Sequence, residues 1–538
     1  MLRKIMGFMV LMALAITLPA IYAYGQLDNR AEKIVVDSAG NVYVTGYSNG
    51  RETGYDYTTI KYDSSGHELW VARYNGPANS YDSASDITVD ALGNVYVTGS
   101  SQDLTTVRPT TIKYNSSGQK LWVARYNSVY EGYGKAVAVD ILGNVYVGGS
   151  SNDTGAPSPG AWFDYVIIKY DSSGHQLWVA RYNGPGNGQD HVTDLVIDAS
   201  GNVYVTGESV GTSWDFATVK YDPSGNELWV ARYDNPSDWG DQLPHLTVDS
   251  VGNVYVTGSS SLYGSYDYTT IKYDSSGHEL WVVGPTGPGD WAQGIAVDAL
   301  GNTYVTGWGM ISGWGYDYVT IKYDPSGTKL WMAGYTNPAC DMGDLVAGLA
   351  LDSSGNVYVT GTSYNPKGWG YDTDYATVKY DSFGHELWVA RYTSPESNVW
   401  EIARDLAVDS LGNVYVTGFR DRLWGNSGLS IDEFLTVKYD SFGQLEWVAR
   451  YANAEVLIGA LIQQVQAIDL KNGAGYTAKL DAALASYQEV TSHDYINTIN
   501  QLEAFKNKCD NDPHLSEADR AALKNTANEI IAYLQSKI

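Results

Sequence analysis

Cysteine is scarce in this chain of 538 residues, which contains only Cys340 and Cys509. The two lie in different regions, so a single bridge between domains and two free thiols both remain open. Neither cysteine has neighbours at a metal-ligand spacing. The sequence therefore predicts no metal site, and it predicts no cofactor.

Basic residues are also few. Lysine and arginine number 34 against 61 aspartates and glutamates, which gives a net charge of -27. Recognition of phosphate requires a basic surface, so this balance argues against nucleic acid and anionic membrane surfaces as partners. Cations, neutral sugars and basic proteins remain possible partners. We expect the protein to be a monomer.

A sustained apolar run occurs only at the N-terminus. Arg3 and Lys4 precede an uncharged, mostly apolar run from Ile5 to Leu18, and Pro19 and small residues follow up to Ala23. This three-part pattern is typical of a secretory signal peptide, predicted over residues 1–23, and the run is short for a membrane span. An uncleaved anchor is the alternative. We expect the protein to be secreted or to lie at the cell surface.

Internal repetition dominates the rest of the sequence. The signature D-x-x-G-N-[VT]-Y-V-x-G begins at Asp37, Asp90, Asp140, Asp198, Asp249, Asp298, Asp352 and Asp409. The first and last copies are 372 residues apart, or about 53 residues per repeat. A fixed period of this size indicates a repeat architecture.

Each repeat contains four short segments with strand character, here called a, b, c and d. In the second repeat they are DITVD, NVYVTG, TTIKY and KLWVARY, all within Asp86–Tyr126. Aspartate and glycine form tight turns between a and b and between c and d. A four-stranded meander repeated eight times predicts an all-β propeller of eight four-stranded blades over residues 27–452, with seven blades as the alternative.

Repeats such as DITVDALGNVYVTGSS followed by TIKYNSSGQKLWVARY resemble the SBBP repeat and, more distantly, NHL repeats. The resemblance covers Ala31–Tyr451. It implies a β-propeller; seven blades give the family its name, whereas this chain shows eight of each segment.

The antiparallel order places the a-b and c-d turns at one end of every blade and the b-c and d-a connections at the other. The second end, here called the variable face, differs in sequence between repeats, and variable loops on a rigid scaffold commonly carry binding residues. Nine tryptophans outside strand d fall there: Trp162, Trp214, Trp239, Trp291, Trp308, Trp314, Trp369, Trp400 and Trp424. The acidic residues Asp190, Asp238, Asp290 and Asp344 accompany them. These residues are the predicted binding site for a protein or glycan, although burial between blades is the competing interpretation for each tryptophan.

Other repeated residues receive structural interpretations. His67, His175, His278 and His385 share one turn position in alternate repeats and cannot converge on a single ion. The G-x-x-x-W spacing of the c-d turn resembles the tryptophan-docking motifs of quinoprotein dehydrogenases, a resemblance that implies docking between blades. No catalytic residue is predicted.

After Tyr451 the strand pattern ends and apolar residues recur at helical spacing, so residues 455–538 predict a small α-helical bundle. The string LIQQVQAIDLKNGAGYTAKLDAAL followed by NTINQLEAFKNKC resembles the FIMAH-type module of secreted microbial proteins. The resemblance implies attachment or assembly.

Together these features predict an exported, non-enzymatic binding protein that uses the variable face to bind protein or glycan at the cell surface. The alternative is a propeller enzyme, either a quinone-dependent dehydrogenase or a polysaccharide-acting hydrolase or lyase, because propellers host both binding and catalysis.

Overall fold

The computed structural model describes residues 26–50, 53–153, 162–235, 240–262, 265–284, 290–311, 315–340, 343–367, 370–396, 399–424, 429–467, 473–487, 492–513 and 515–535. The predicted signal peptide, residues 1–23, lies outside these residues.

Eight four-stranded antiparallel blades follow one another along the chain and confirm the predicted eight blades. The last two blades are joined in one sheet by a parallel bridge between Thr373 and Trp400. The a strands are β2 (Asn29–Val36), β6 (Asp82–Val89), β10 (Gly132–Val139), β14 (Asp190–Ile197), β18 (Asp241–Val248), β22 (Trp291–Val297), β26 (Asp344–Leu351) and β30 (Val399–Val408). The b strands are β3 (Val42–Gly50), β7 (Val95–Gln102), β11 (Val145–Ser151), β15 (Val203–Val210), β19 (Val254–Leu262), β23 (Thr303–Gly309), β27 (Val357–Lys367) and β31 (Val414–Trp424). The c strands are β4 (Gly54–Tyr62), β8 (Val107–Tyr114), β12 (Asp164–Tyr170), β16 (Trp214–Tyr221), β20 (Ser265–Tyr273), β24 (Asp317–Tyr323), β28 (Gly370–Tyr380) and β32 (Leu429–Tyr439). The d strands are β5 (Glu68–Tyr74), β9 (Lys120–Arg125), β13 (Gln176–Tyr182), β17 (Glu227–Tyr233), β21 (Glu279–Val283), β25 (Lys329–Tyr335), β29 (Glu386–Tyr392) and β33 (Leu445–Tyr451).

The a strands lie innermost and contact one another around a closed ring, with β30 of blade 8 against β2 of blade 1. A short strand β1 (Gln26–Leu27) pairs in parallel with β32 in the last blade. The a strands run from the variable face toward the end of the ring that carries the a-b and c-d turns, so their first residues surround the mouth of a central channel.

The a-b turn closes through its aspartate, as predicted. In blade 1 the Asp37 carboxylate accepts hydrogen bonds from the backbone N–H groups of Ala39 and Asn41, from the Asn41 side chain and from the Tyr43 hydroxyl. All four distances are 2.8 to 2.9 Å. The carboxylate is therefore committed to the turn.

The repeat tryptophan of strand d joins each blade to the next and confirms the predicted docking role. Trp70 Nε1 donates to the carbonyl oxygen of Ser116, in the c-d turn of the next blade, at 3.1 Å. The indole also covers Gly118 of that turn, where an added Cβ would lie 2.7 Å from Trp70 Cδ2. Apolar clusters between neighbouring blades, such as Tyr43, Tyr57 and Ile112 between blades 1 and 2, form the core.

The described residues that follow the propeller form four helices: α1 (Ala454–Ala467), α2 (Gly473–Tyr487), α3 (Ser492–Asp510) and α4 (Glu517–Gln535). They share one apolar core with Ala452 at the end of the last blade. The Tyr533 hydroxyl donates to the Ala452 carbonyl at 2.6 Å, and the Asn453 side chain donates to the Asn49 carbonyl at 2.9 Å. Asn49 lies near the end of strand b in blade 1, so the bundle adjoins the variable face. None of the described helices combines the length and apolar character of a membrane span.

Both cysteines are free thiols, Cys340 half-buried in the propeller and Cys509 buried in the bundle. Of the two arrangements left open by the sequence, the structure has no bridge between them.

Candidate binding site at the mouth of the central channel

A cavity of about 450 Å³ occupies the central channel and is lined by the a strands of all eight blades. The residues four positions before each a-b turn aspartate differ from blade to blade. In blade order they are Lys33, Asp86, Ala136, Asp194, His245, Gly294, Gly348 and Asp405. The channel wall is therefore chemically irregular, although the blades that form it are repeats.

Three of these residues are aspartates, and each joins two blades through backbone N–H groups. Asp86 accepts from Ile87 at 2.9 Å and from Val137 of the next blade at 2.8 Å. Asp194 accepts from Leu195 at 2.8 Å and from Leu246 of the next blade at 3.1 Å.

The third aspartate, Asp405, closes the ring. It accepts from the N–H of Leu406 in its own strand and from the N–H of Ile34 in blade 1, the latter at 3.1 Å. Burial in the channel raises the pKa of Asp405, and Lys33 opposes that rise.

Basic side chains share the cavity with these carboxylates. Lys33 Nζ lies 3.8 Å from Asp405 Oδ2, and Arg404 Nε lies 3.8 Å from Glu32 Oε2. Lys135 lines the cavity, and its side chain is accessible to solvent from within the channel. The walls of the channel surround it on the other sides. Burial lowers the pKa of Lys135, and the neighbouring Lys33 lowers it further. Among the described residues Lys135 has no ion-pair partner.

Two groups of aromatic residues, all half-buried except the exposed Tyr133, lie on the variable-face side of the cavity. Aromatic cluster I consists of Tyr133, Phe163, His191 and Trp214, whose successive ring centroids are 5.5, 5.5 and 5.8 Å apart. His191 and Trp214 are stacked, with an angle of 19° between their planes.

Aromatic cluster II consists of Tyr266, Trp291, Trp308 and Tyr316. Its central pair, Trp291 and Trp308, is stacked with centroids 5.5 Å apart and planes 16° apart. Tyr266 and Tyr316 flank the pair at 4.3 and 4.6 Å. Trp291 stands three residues before Gly294 on β22, so this cluster lies directly above one part of the cavity wall.

The predicted tryptophans separate into three groups. Trp214, Trp291 and Trp308 belong to the aromatic clusters, whereas Trp162 and Trp400 are 51% and 50% exposed and contact no other aromatic ring among the described residues. Trp239, Trp314 and Trp369 lie outside the described residues, as does the side chain of Trp424.

The predicted acidic residues lie deeper than the sequence suggested. Asp190, Asp290 and Asp344 are at most 4% exposed. The carboxylates of Asp190 and Asp344 each accept a backbone N–H from the preceding d-a connection at 2.8 Å. Burial raises the pKa of Asp344 to about 6. Their geometry holds that connection against the blade, and Asp238 lies outside the described residues.

The alternate-blade histidines are exposed turn residues, as predicted. His67 Nδ1, for example, lies 3.0 Å from Asp63 Oδ2 of its own turn. Within the described part of the chain, no three His, Cys, Asp or Glu side chains are grouped as metal ligands.

Sequence reasoning missed the channel residues. The signal is present in the sequence, because the position four residues before each turn aspartate varies among lysine, aspartate, alanine, histidine and glycine within an otherwise regular repeat. The variation lies within a strand and not in a loop, so loop variability does not reveal it.

The family model "SBBP: Beta-propeller repeat" matches residues 28–51, 69–103, 130–155, 240–261, 283–310 and 345–366. The six segments cover all or all but one residue of the a and b strands of blades 1, 2, 3, 5, 6 and 7. No curated protein matches the sequence.

Solved structures with a similar chain path include Sqt1 from Chaetomium thermophilum, at 10% identity, with 80% of this chain and 98% of that chain covered and a TM-score of 0.45. An ulvan lyase matches at 11% identity over 78% of this chain and 90% of that chain, with a TM-score of 0.38. A puromycin hydrolase mutant matches at 13% identity, with 76% of this chain and 58% of that chain covered and a TM-score of 0.42. None of these similarities bears on function.

Proposed function

We propose that this protein is an exported, non-enzymatic binding protein whose ligand is a glycan that binds at the mouth of the central channel. The observation that carries the proposal is the stacked pair Trp291 and Trp308, half-buried at the mouth and flanked by Tyr266 and Tyr316. Partly accessible aromatic rings offer flat apolar surface to the C–H faces of a sugar.

The cavity below the rings supports a glycan over a protein ligand. Its volume of about 450 Å³ suits a small concave site. A protein ligand would have to bury roughly 800 Å² of surface on each partner, which is far more than the wall of a cavity of this size provides. The mixture of carboxylates, Lys135, His245 and Gln293 along the wall supplies both donors and acceptors for hydroxyl groups.

Export through residues 1–23 and attachment through the helical bundle complete the proposal. The bundle adjoins the variable face through Asn453 and Asn49. A FIMAH-like role in attachment would therefore keep the glycan site close to the surface to which the bundle is anchored.

A glycan array probed with residues 24–538 tests the proposed function. The double variant Trp291→Ala, Trp308→Ala is expected to bind the captured glycan about 10-fold or more weakly than the wild type, because buried aromatic anchors dominate the affinity of such sites. Trp162→Ala is the matched control, since Trp162 is exposed on the same face but stands apart from both clusters.

Equal binding by the double variant and the wild type would refute the site. Capture of protein ligands alone would refute the glycan class. Release of shortened glycan products, detected by mass spectrometry, would support the catalytic alternative and contradict a purely binding role.

A further inference from the structure

The channel aspartates follow a two-blade rhythm that is broken once. Aspartate stands four residues before the turn aspartate in blades 2, 4 and 8, and each of these carboxylates accepts one N–H from its own strand and one from the next blade. Blade 6 is the position where a fourth is due, and there the residue is Gly294.

Because Gly294 has no carboxylate, two backbone N–H groups beside it have no side-chain acceptor among the described residues, whereas the equivalent N–H groups beside Asp86, Asp194 and Asp405 donate to a carboxylate. By the same register, these donors are the N–H groups of Ile295 in blade 6 and Leu349 in blade 7. Two convergent N–H groups in a concave wall form an anion-binding arrangement.

Backbone geometry does not require glycine at this position. Gly294 has an ordinary φ, and an added Cβ would meet its nearest atom, Leu349 Cδ2, at 3.6 Å, with Leu349 N at 3.7 Å. A side chain would therefore fit. What glycine does here is leave the two N–H groups open to the cavity, and Gly294 and Leu349 both line it.

The same cavity contains a cation, Lys135, whose charge is influenced by Glu32, Asp86 and Asp194 although none of them forms an ion pair with it. Lys135 lines the cavity from blade 3, across the ring from blade 7, and forms no ion pair with any described residue. The other channel cations are engaged, Lys33 with Asp405 and Arg404 with Glu32. An anion in the cavity would offset the charge of Lys135 and accept hydrogen bonds from the N–H groups of Ile295 and Leu349.

We propose that the wall at Gly294 is a carboxylate-binding notch, in which a carboxylate of the ligand takes the place of the missing fourth aspartate. A carboxylate is the anion indicated, because Asp86 and Asp194 show that this group spans the equivalent N–H pair at 2.8 to 3.1 Å. This inference rests on the proposed function and specifies it: the bound glycan carries a uronate or a similar acidic sugar.

The notch and aromatic cluster II can be used by one ligand. Trp291 and Gly294 are three residues apart on β22, or about 10 Å along an extended strand. An acidic oligosaccharide can therefore place a carboxylate in the notch while a neighbouring sugar ring packs on Trp291 and Trp308.

Isothermal titration of the wild-type protein with glucuronate, glucose and acetate tests the notch. We expect glucuronate to bind at least about 10-fold more tightly than glucose, because charge-assisted hydrogen bonds distinguish the two. If acetate binds as well as glucuronate, the notch binds a free small acid and the uronate part of the proposal is refuted. No preference for either carboxylate over glucose would overturn the proposal.

Gly294→Asp is the decisive variant, since it supplies the missing carboxylate from the chain itself. It is expected to raise the melting temperature, by restoring the link between blades 6 and 7, and to remove the preference for glucuronate. Gly294→Ala, which leaves the N–H groups open, should keep that preference, and Lys135→Gln should reduce it. An unchanged preference in Gly294→Asp would refute the notch.

The Trp291→Ala variant separates this proposal from the proposed function. A disaccharide that carries one glucuronate can reach both the notch and Trp291, so it is titrated beside its neutral counterpart. If Trp291→Ala weakens the binding of both disaccharides equally while Gly294→Asp weakens that of the acidic one alone, both proposals hold. If Trp291→Ala has no effect but Gly294→Asp does, the notch stands and the aromatic site fails. The reverse result would keep the glycan site and reject the notch.

Discussion

Trp447 Nε1 in the last blade donates a hydrogen bond to the carbonyl oxygen of Ser64 in the first blade at 3.1 Å. The two residues are 383 positions apart, and the contact repeats at the ring closure the junction that Trp70 forms with Ser116 inside the ring. Closure therefore uses the same chemistry as every other junction.

Replacement of Trp447 should destabilise the ring. Trp447→Phe keeps an apolar ring but removes the N–H donor, so we expect a loss of about 1 kcal/mol in the free energy of unfolding. Trp447→Ala also removes the packing on Gly66 and should cost about 2–3 kcal/mol. Urea titration followed by fluorescence measures both, with Trp122→Phe as the equivalent change at an interior junction. Wild-type stability in Trp447→Ala would contradict the closure described here.

Gly66 is required by two independent constraints. Its φ is +85°, and an added Cβ would lie 2.6 Å from Trp447 Cδ2. Gly66→Ala should therefore lower the free energy of unfolding by about 2 kcal/mol or more. Gly294→Ala is the control, because its Cβ has room and its φ is ordinary. Equal midpoints of unfolding for the two variants would count against this reading of the turn.

Stability should fall as the pH rises from about 4 to 8. Burial raises the pKa of Glu401 to about 7. Because a glutamate in the unfolded chain has a pKa of about 4, the folded chain binds more protons than the unfolded chain between that pH and about 7. The contribution is therefore present below the unfolded pKa and is lost as the pH rises through the folded one. Glu401→Gln should reduce the fall by about 2–3 kcal/mol, as measured by urea unfolding at several pH values.

A turn aspartate provides a control of opposite sign. Although burial opposes it, hydrogen bonds from Asn202 and Tyr204 lower the pKa of Asp198. Its contribution is present above the unfolded pKa and is lost as the pH falls, so Asp198→Asn should destabilise the protein at pH 7 and less at pH 3. The same pH slope in wild type and Glu401→Gln would show that Glu401 does not carry the dependence.

The two thiols should differ in reactivity. Cys509 is fully buried, and burial raises the pKa of its thiol to about 11, whereas Cys340 is half-buried. An aromatic disulfide reagent should therefore label Cys340 in the native protein and both thiols only after denaturation. Prior reduction should leave both results unchanged. Equal labelling rates under native conditions would contradict the buried position of Cys509.

The bundle should lose part of its coupling to the propeller in Tyr533→Phe. The Tyr533 hydroxyl donates to the Ala452 carbonyl at 2.6 Å and accepts from the Ala452 N–H at 3.2 Å. Its removal leaves buried backbone groups without a partner, at a cost of about 1–3 kcal/mol. We expect calorimetry to show an earlier transition for the bundle, with Tyr487→Phe as the comparison within the same core. Unchanged transitions would show that this contact does not hold the bundle.

Much of the fold follows from local sequence. Asp37 and Gly40 define the a-b turn, and Gly66 with its preceding Asp63 defines the c-d turn, because aspartate caps backbone N–H groups and glycine accepts a positive φ. The site was less accessible to such reasoning. Trp291 and Trp308 were expected in loops, yet the strands extend past the repeat signature and include both.

By itself, the sequence determined the number of blades, the turns that shape each blade and the tryptophan that joins it to the next, because those interactions lie within one repeat or between adjacent repeats. Only the tertiary structure decided which residues line the channel. Ring closure brings together positions about 53 residues apart in sequence, and it places Asp405 against Ile34 across 371 residues. The open N–H groups beside Gly294 become visible only there, because an absent acceptor can be recognised only after the neighbouring blade has been placed.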